Sequence, residues 1–196
     1  MTSTTRMPPA ELTGPFAYAV KRFSKKVLGK VPDAVGVYWH NRRVLNTMMG
    51  VGRKVQAWDQ LAPDLSSYAH MAVASLVGCS WCLDYNYFEA HNKGLDEAKA
   101  SQVPRWRDAD VFSPLERDVM AYAEAMSQTP PEVSDDLFAR LLDQLGEAAM
   151  VELTAVVGFA NLTTRCNVAL GIHSQGFSDA CEIPLAQPSA GYVTSA

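Results

Sequence analysis

The stretch that most limits what this chain can fold into is "EAAMVELTAVVGFANLTTRCNVALG", residues 147–171, which is apolar nearly all the way round a helix. A rod of this kind has no polar face to give to water, so it must lie in a core or in a subunit interface. Its most apolar part, "MVELTAVVGFANL", still contains Glu152 and Asn161. Nowhere do about 18 uncharged apolar residues follow one another, so no membrane span is expected. Thr154, Gly158, Asn161 and Arg165 draw one polar stripe along the rod. The stripe is expected either to hydrogen-bond to a second subunit or to face an anionic substrate through Arg165.

The rest of the chain also reads as helix. "VGVYWHNRRVLNTMMGVGRKVQAW" places Leu45, Met48, Met49, Gly52 and Val55 on one face, with a break at His40, Arg42 and Arg43. "APDLSSYAHMAVASLVGC" opens with Pro63 and Asp64, as helices often start. Ser113, Pro114 and Glu116 spell a capping box, and Ser134 opens a helix that Gly146 should stop. "QVPRWRDADVFS" and "SQTPPEVS" are Pro-punctuated loops, and no alternating strand pattern appears. An all-α fold follows. Residues 1–33, which include the basic "VKRFSKKVLGK", are read as an extension packed on the outside of a helical domain at 34–185, and 186–196 as a flexible tail.

A net charge of -4 without a long basic or acidic block argues against nucleic acid or an anionic membrane as partner. The start, "MTSTTRMPPAEL", lacks the apolar segment of a secretory signal, so a cytoplasmic location is expected. In that reducing setting the four cysteines are expected to be thiols, ligands or catalytic groups before structural disulfides.

Two of the four stand close together, in "GCSWCLDYNYFEAHNKG", residues 78–94. A zinc site would need a second Cys or His pair, but Cys166 and Cys181 are lone and far downstream. Haem attachment would need His after the second Cys, where Leu83 stands. Dithiol–disulfide exchange remains, because cysteines one helical turn apart can be bridged and a helix N-terminus favours a thiolate. Gly78 and Ser80 are the expected start residues of that helix. The alternative, two small buried hydrophobes, stays open. His91 falls opposite Cys82 on this helix, and Glu89 lies about 10 Å along it. Asp84 and Tyr85 are local candidates to assist the pair, and His70 lies on the helix that leads into it.

An all-helical chain carrying this pair resembles the carboxymuconolactone decarboxylase superfamily, in particular its alkyl hydroperoxidase D-like redox branch. The resemblance rests on "HMAVASLVGCSWCLDYNYFEAHNKGLDEAKA", an apolar helix, Gly-Cys-x-x-Cys, a second helix and Gly-Leu before an acidic stretch, and on the later helices. It spans roughly residues 34–173 and implies an oligomeric helical bundle without metal, haem or other cofactor. It also implies a peroxidase or disulfide oxidoreductase acting on a small hydroperoxide or disulfide, with a protein or small-molecule thiol as reductant. Cys82 matches the peroxidatic thiol and Cys79 the resolving one. The branch's proton relay is not matched: Ser67 stands at its Glu position, and Trp81 and Asn86 at its two His positions. His70, one turn from Ser67, is the expected substitute base. The rival expectations are a lyase without thiol chemistry and a non-catalytic binding or scaffold protein.

Overall fold

The structure, a computed structural model, describes residues 5–188; of the tail expected at 186–196, residues 189–196 lie outside them. Within them the chain forms eight α-helices and no strand. They are α1 (Pro15–Leu28), α2 (Asp33–Trp39), α3 (Arg42–Val55), α4 (Pro63–Val77), α5 (Ser80–Asn92), α6 (Glu97–Ala100), α7 (Pro114–Ser127) and α8 (Asp135–Ala169).

Helix α4 is the hub, packing on α7, α8 and α5. Its inward residues Ala69, Met71, Ala72, Val73 and Ala74 are almost wholly buried. The three alanines let neighbouring backbones come close, and larger residues on α7 (Val119, Met120) and α8 (Leu153, Val157) fill the space between. Pro63 begins α4, as the sequence suggests, and Gly78 ends it in the left-handed conformation at φ 77°. That sharp exit turns the chain straight into α5.

Helix α7 carries the capping box of Ser113 and Glu116 in full. Helix α8 is two rods meeting at Gly146, whose φ 77° and ψ 168° no other residue adopts without strain. The expected stop at Gly146 is therefore a kink. By length and composition alone α8 could cross a membrane, which the sequence reading did not anticipate. Its first rod carries Asp135, Asp136, Arg140 and Asp143, and Arg140 pairs with Asp118 of α7 at 2.9 Å. The second rod buries one face, including Leu153 and Val157, and leaves Val151 and Leu162 exposed.

The polar stripe on that second rod is hydrogen-bonded within the chain. Its partners are on α7 of the same chain. Tyr122 Oη and Thr154 Oγ1 lie 2.8 Å apart, Asn161 Nδ2 donates to Ser127 Oγ at 2.7 Å, and Arg165 Nη2 donates to the Ser127 carbonyl at 2.5 Å. Polar groups on an apolar rod must be paired where they are buried, and α7 supplies the pairs.

The N-terminal segment lies along this bundle. Arg6 N–H donates to the Leu170 carbonyl at 3.1 Å and Ala10 N–H to that of Gly36 at 3.0 Å. Phe16 of α1 stacks on Trp39 with centroids 5.8 Å apart, and Arg42 lies over both rings.

Candidate active site

Cys79 and Cys82 form a disulfide at the head of α5, with Cα atoms 5.2 Å apart. Helix start residues were expected at Gly78 and Ser80, but Cys79 itself is the N-cap. Its Sγ accepts the Cys82 backbone N–H at 3.2 Å, the bond that Ser or Asp makes at other caps. The first turn holds no acidic residue to offset the positive helix end beside the two sulfurs. Both cysteines are nearly inaccessible, 1% and 2% exposed.

The second sulfur has a partner from far along the chain. Asn167, near the end of α8 and 4% exposed, donates from Nδ2 to Cys82 Sγ at 3.4 Å. Its Oδ1 accepts the Tyr38 hydroxyl of α2 at 3.1 Å. Burial first, and the neighbouring Cys166 second, push the Tyr38 phenol up to about 12, so it stays protonated and a donor.

Between the cysteines, Trp81 stacks on Tyr85 with centroids 5.0 Å apart and planes 6° apart, and meets the edge of Phe177 at 6.5 Å. Its indole Nε1 is buried without a hydrogen-bond partner. Phe177 belongs to a loop, residues 173–178, that lies on the first turn of α5. There Ser174 N–H donates to Ser80 Oγ at 3.1 Å.

Asp84 holds that loop. Its Oδ2 accepts Ser174 Oγ at 2.7 Å and the N–H groups of Gln175 and Phe177 at 3.1 Å. Its Oδ1 accepts both the N–H and the hydroxyl of Ser178 at 2.7 Å. Burial alone would raise this carboxyl, but the Ser178 bonds, with those of Ser174 and Phe177, outweigh it and hold Asp84 below the usual range. Asp84 is thus an ionised anchor for the loop.

The other residues singled out in the sequence go elsewhere. His70 is half-buried, and its ring meets Phe159 of α8 edge-on at 6.4 Å; no hydrogen bond joins it to either cysteine. Burial first, and the charge of Lys93 second, lower it to about 4, so it is neutral at pH 7. Asn86 Nδ2 is spent on the Cys82 carbonyl at 2.6 Å. Tyr85 donates to Glu89 at 3.0 Å, and His91 pairs with Glu97. Among the described residues no cluster of three His, Cys, Asp or Glu side chains could hold a metal ion.

Sequence reasoning missed Asn167 and Tyr38. The one available signal was physical: an Asn amide on an apolar rod must find a partner.

Residues 42–125 match the model of the carboxymuconolactone decarboxylase family. The chain is 35% identical to YnjA of Escherichia coli (strain K12) over 136 residues, 69% of this chain and 73% of that protein. It is 26% identical to YdfG of Bacillus subtilis (strain 168) over 100 residues, half of this chain and 68% of that protein. Among solved structures, an alkylhydroperoxidase AhpD core protein from Ralstonia eutropha JMP134 superposes with a TM-score of 0.79 at 18% identity, covering 94% of this chain and all of that one. The debrominase Bmp8 in complex with 2,3,4-tribromopyrrole gives 0.77 at 20% identity, covering 92% and 96%. At such identities these two likenesses concern the fold alone.

Proposed function

The chain belongs to the carboxymuconolactone decarboxylase family, and on that footing we propose that it is a thiol–disulfide oxidoreductase whose working groups are Cys79 and Cys82. The observation that carries this reading is the disulfide itself, placed at a helix N-terminus with a separate donor on each sulfur. In the reducing half-reaction a reductant thiolate attacks one sulfur and releases the other as thiolate. A second reductant thiol then resolves the mixed disulfide, leaving Cys79 and Cys82 reduced and the reductant as a disulfide.

In the oxidising half-reaction a small disulfide takes the two electrons back by the reverse exchange. A hydroperoxide serves as well. The Cys82 thiolate attacks its distal oxygen, the alkoxide leaves and takes a proton, and Cys82 becomes a sulfenic acid. The Cys79 thiol displaces water from that sulfur and the disulfide returns.

Peptide mapping of the native protein tests the reading. After mild oxidation the peptide holding residues 79–82 should be about two daltons lighter than after reduction with a dithiol, reversibly. Both thiols free after peroxide treatment would end the redox reading.

A homo-oligomer completes the proposal. Val151 and Leu162 on α8 are 70% and 48% exposed, and a second copy is the partner that would cover them. Light scattering at micromolar concentration should give a multiple of 21.4 kDa; a monomer mass would overturn this part.

A further inference from the structure

The thiol chemistry proposed above needs something to stabilise a thiolate, and the residues of the family's proton relay are replaced here by Ser67, Trp81 and Asn86. None of the three accepts a proton near neutral pH. We propose that Asn167, held in place by Tyr38, is the positioning residue that supports the Cys82 sulfur by hydrogen-bond donation in place of an acid–base relay. The inference rests on the redox reading and goes beyond it, since it assigns how one sulfur is made reactive and by which residues.

The geometry has three parts. Asn167 Nδ2 lies 3.4 Å from Cys82 Sγ, within reach of an N–H···S bond, in a pocket where both residues are almost fully buried. An amide can present either its NH2 or its oxygen, and only the NH2 helps a sulfur anion. Tyr38 decides between them. Its hydroxyl stays protonated and donates to Asn167 Oδ1 at 3.1 Å, so the amide oxygen is occupied and the NH2 is turned to the sulfur.

A thiolate accepts a hydrogen bond more strongly than a disulfide sulfur or a thiol does. The Asn167 bond therefore favours ionised, reduced Cys82 over its other two states. Away from water such a bond counts for more than at the surface. The titratable groups on the elements around this sulfur are Cys79 on its own helix, Tyr38 on α2 and Cys166 beside Tyr38 on α8. Asp84 is turned to the 173–178 loop and His70 to Phe159. None of these places a cation on the sulfur, which leaves the amide and the helix end to favour the anion.

The test uses the reduced full-length protein. The ionisation of the pair is read from the difference in thiolate absorbance between reduced and oxidised samples, which cancels Cys166 and Cys181. Alkylation by iodoacetamide is mapped to each cysteine by mass spectrometry. Asn167→Asp keeps the shape, removes the donor and adds a repelling charge. It should raise the Cys82 thiol by more than one pH unit, so that alkylation at pH 7 slows at least about tenfold. At pH 10, where the thiol ionises unaided, the rate should be unchanged. Tyr38→Phe frees the amide to turn and should slow alkylation at pH 7 about threefold in the same direction.

His70→Gln should leave the profile where it is. The equilibrium of Asn167→Asp with glutathione should shift toward the disulfide by about tenfold, ~30 mV more reducing. Should Asn167→Asp not fold, Tyr38→Phe decides alone. Unshifted profiles in both, equal slowing at both pH values, or a shift in His70→Gln instead would each overturn the proposal. Failure of the wild-type pair to reoxidise is a different result: it would end the redox reading, while the ionisation curves would still report on Asn167.

Discussion

Replacing Asp84 by Asn lowers the melting temperature by roughly 6–12 °C and speeds reduction of the Cys79–Cys82 disulfide by dithiothreitol. The single carboxylate of Asp84 accepts five hydrogen bonds from residues 174–178. An Asn keeps one oxygen but turns an NH2 toward groups that are themselves donors. Hydrogen bonds to a charged acceptor contribute about 1.5–3 kcal/mol each, and water can replace some of those lost at the loop. A net cost of about 3 kcal/mol follows, and in a chain of this size 1 kcal/mol corresponds to roughly 2–4 °C. Faster reduction follows from position, because the same loop places Ser174 on Ser80 and Phe177 on Trp81, next to both cysteines.

The pH dependence has a definite sign. Asp84 is held below its ordinary value of 3.8, so its contribution is full above that pH. It is lost as pH falls through the lowered value. The wild type should therefore lose stability below about pH 4 faster than Asp84→Asn does. Thermal melts from pH 7 to pH 2 check both claims, and a melting temperature for Asp84→Asn within 2 °C or so of wild type at pH 7 would refute the anchoring role.

Replacing Cys82 by Ser abolishes dithiol-dependent turnover of hydroperoxides or small disulfides, whereas replacing Cys79 by Ser leaves a chemically trapped protein. Without Cys79, the sulfenic acid or mixed disulfide formed on Cys82 has lost the thiol that bridges to it. Intact mass after peroxide should show one added oxygen on Cys79→Ser and none on residue 82 of Cys82→Ser. Adducts in the reverse pattern would mean that Cys79, the helix cap, is the attacking thiol. Full turnover in both variants would remove the pair from the chemistry.

The helices were legible in the sequence because their signals are local. Pro63 and the capping box of Ser113 and Glu116 each report on their own few residues, and the structure uses them as those signals imply, while Gly146, read as a stop, is a kink inside α8. The cysteine pair was legible for the same reason. What the sequence concealed was the far end of each long-range contact. Asn167 reaches Cys82 across 85 residues, and Asp84 reaches Ser178 across 94. A single pairing of that kind leaves no periodicity or spacing to read. The stripe from Thr154 to Arg165 shows the same limit. Its helical spacing was visible, but whether it faced α7, a ligand or another subunit depended on tertiary packing. Cys79 as its own cap was hidden by the two better capping residues beside it, Gly78 and Ser80.

The seam between α7 and α8 bears on the alignment of the whole site. Apolar helix faces built from Val, Leu and Ala are self-similar from turn to turn, so two such rods can slide past one another by a turn at modest cost. A slide of one turn is about 5.4 Å, far more than a contact of 3.4 Å between Asn167 and Cys82 can survive. Tyr122 with Thr154, and Ser127 with Asn161 and Arg165, can be satisfied in one setting only. They work as dowels: the rod that carries Asn167 is pegged lengthwise on α7, and through α4 the alignment is passed to the head of α5. The angstrom-scale tolerance of the sulfur's surroundings is thus set by residues that never touch the sulfur.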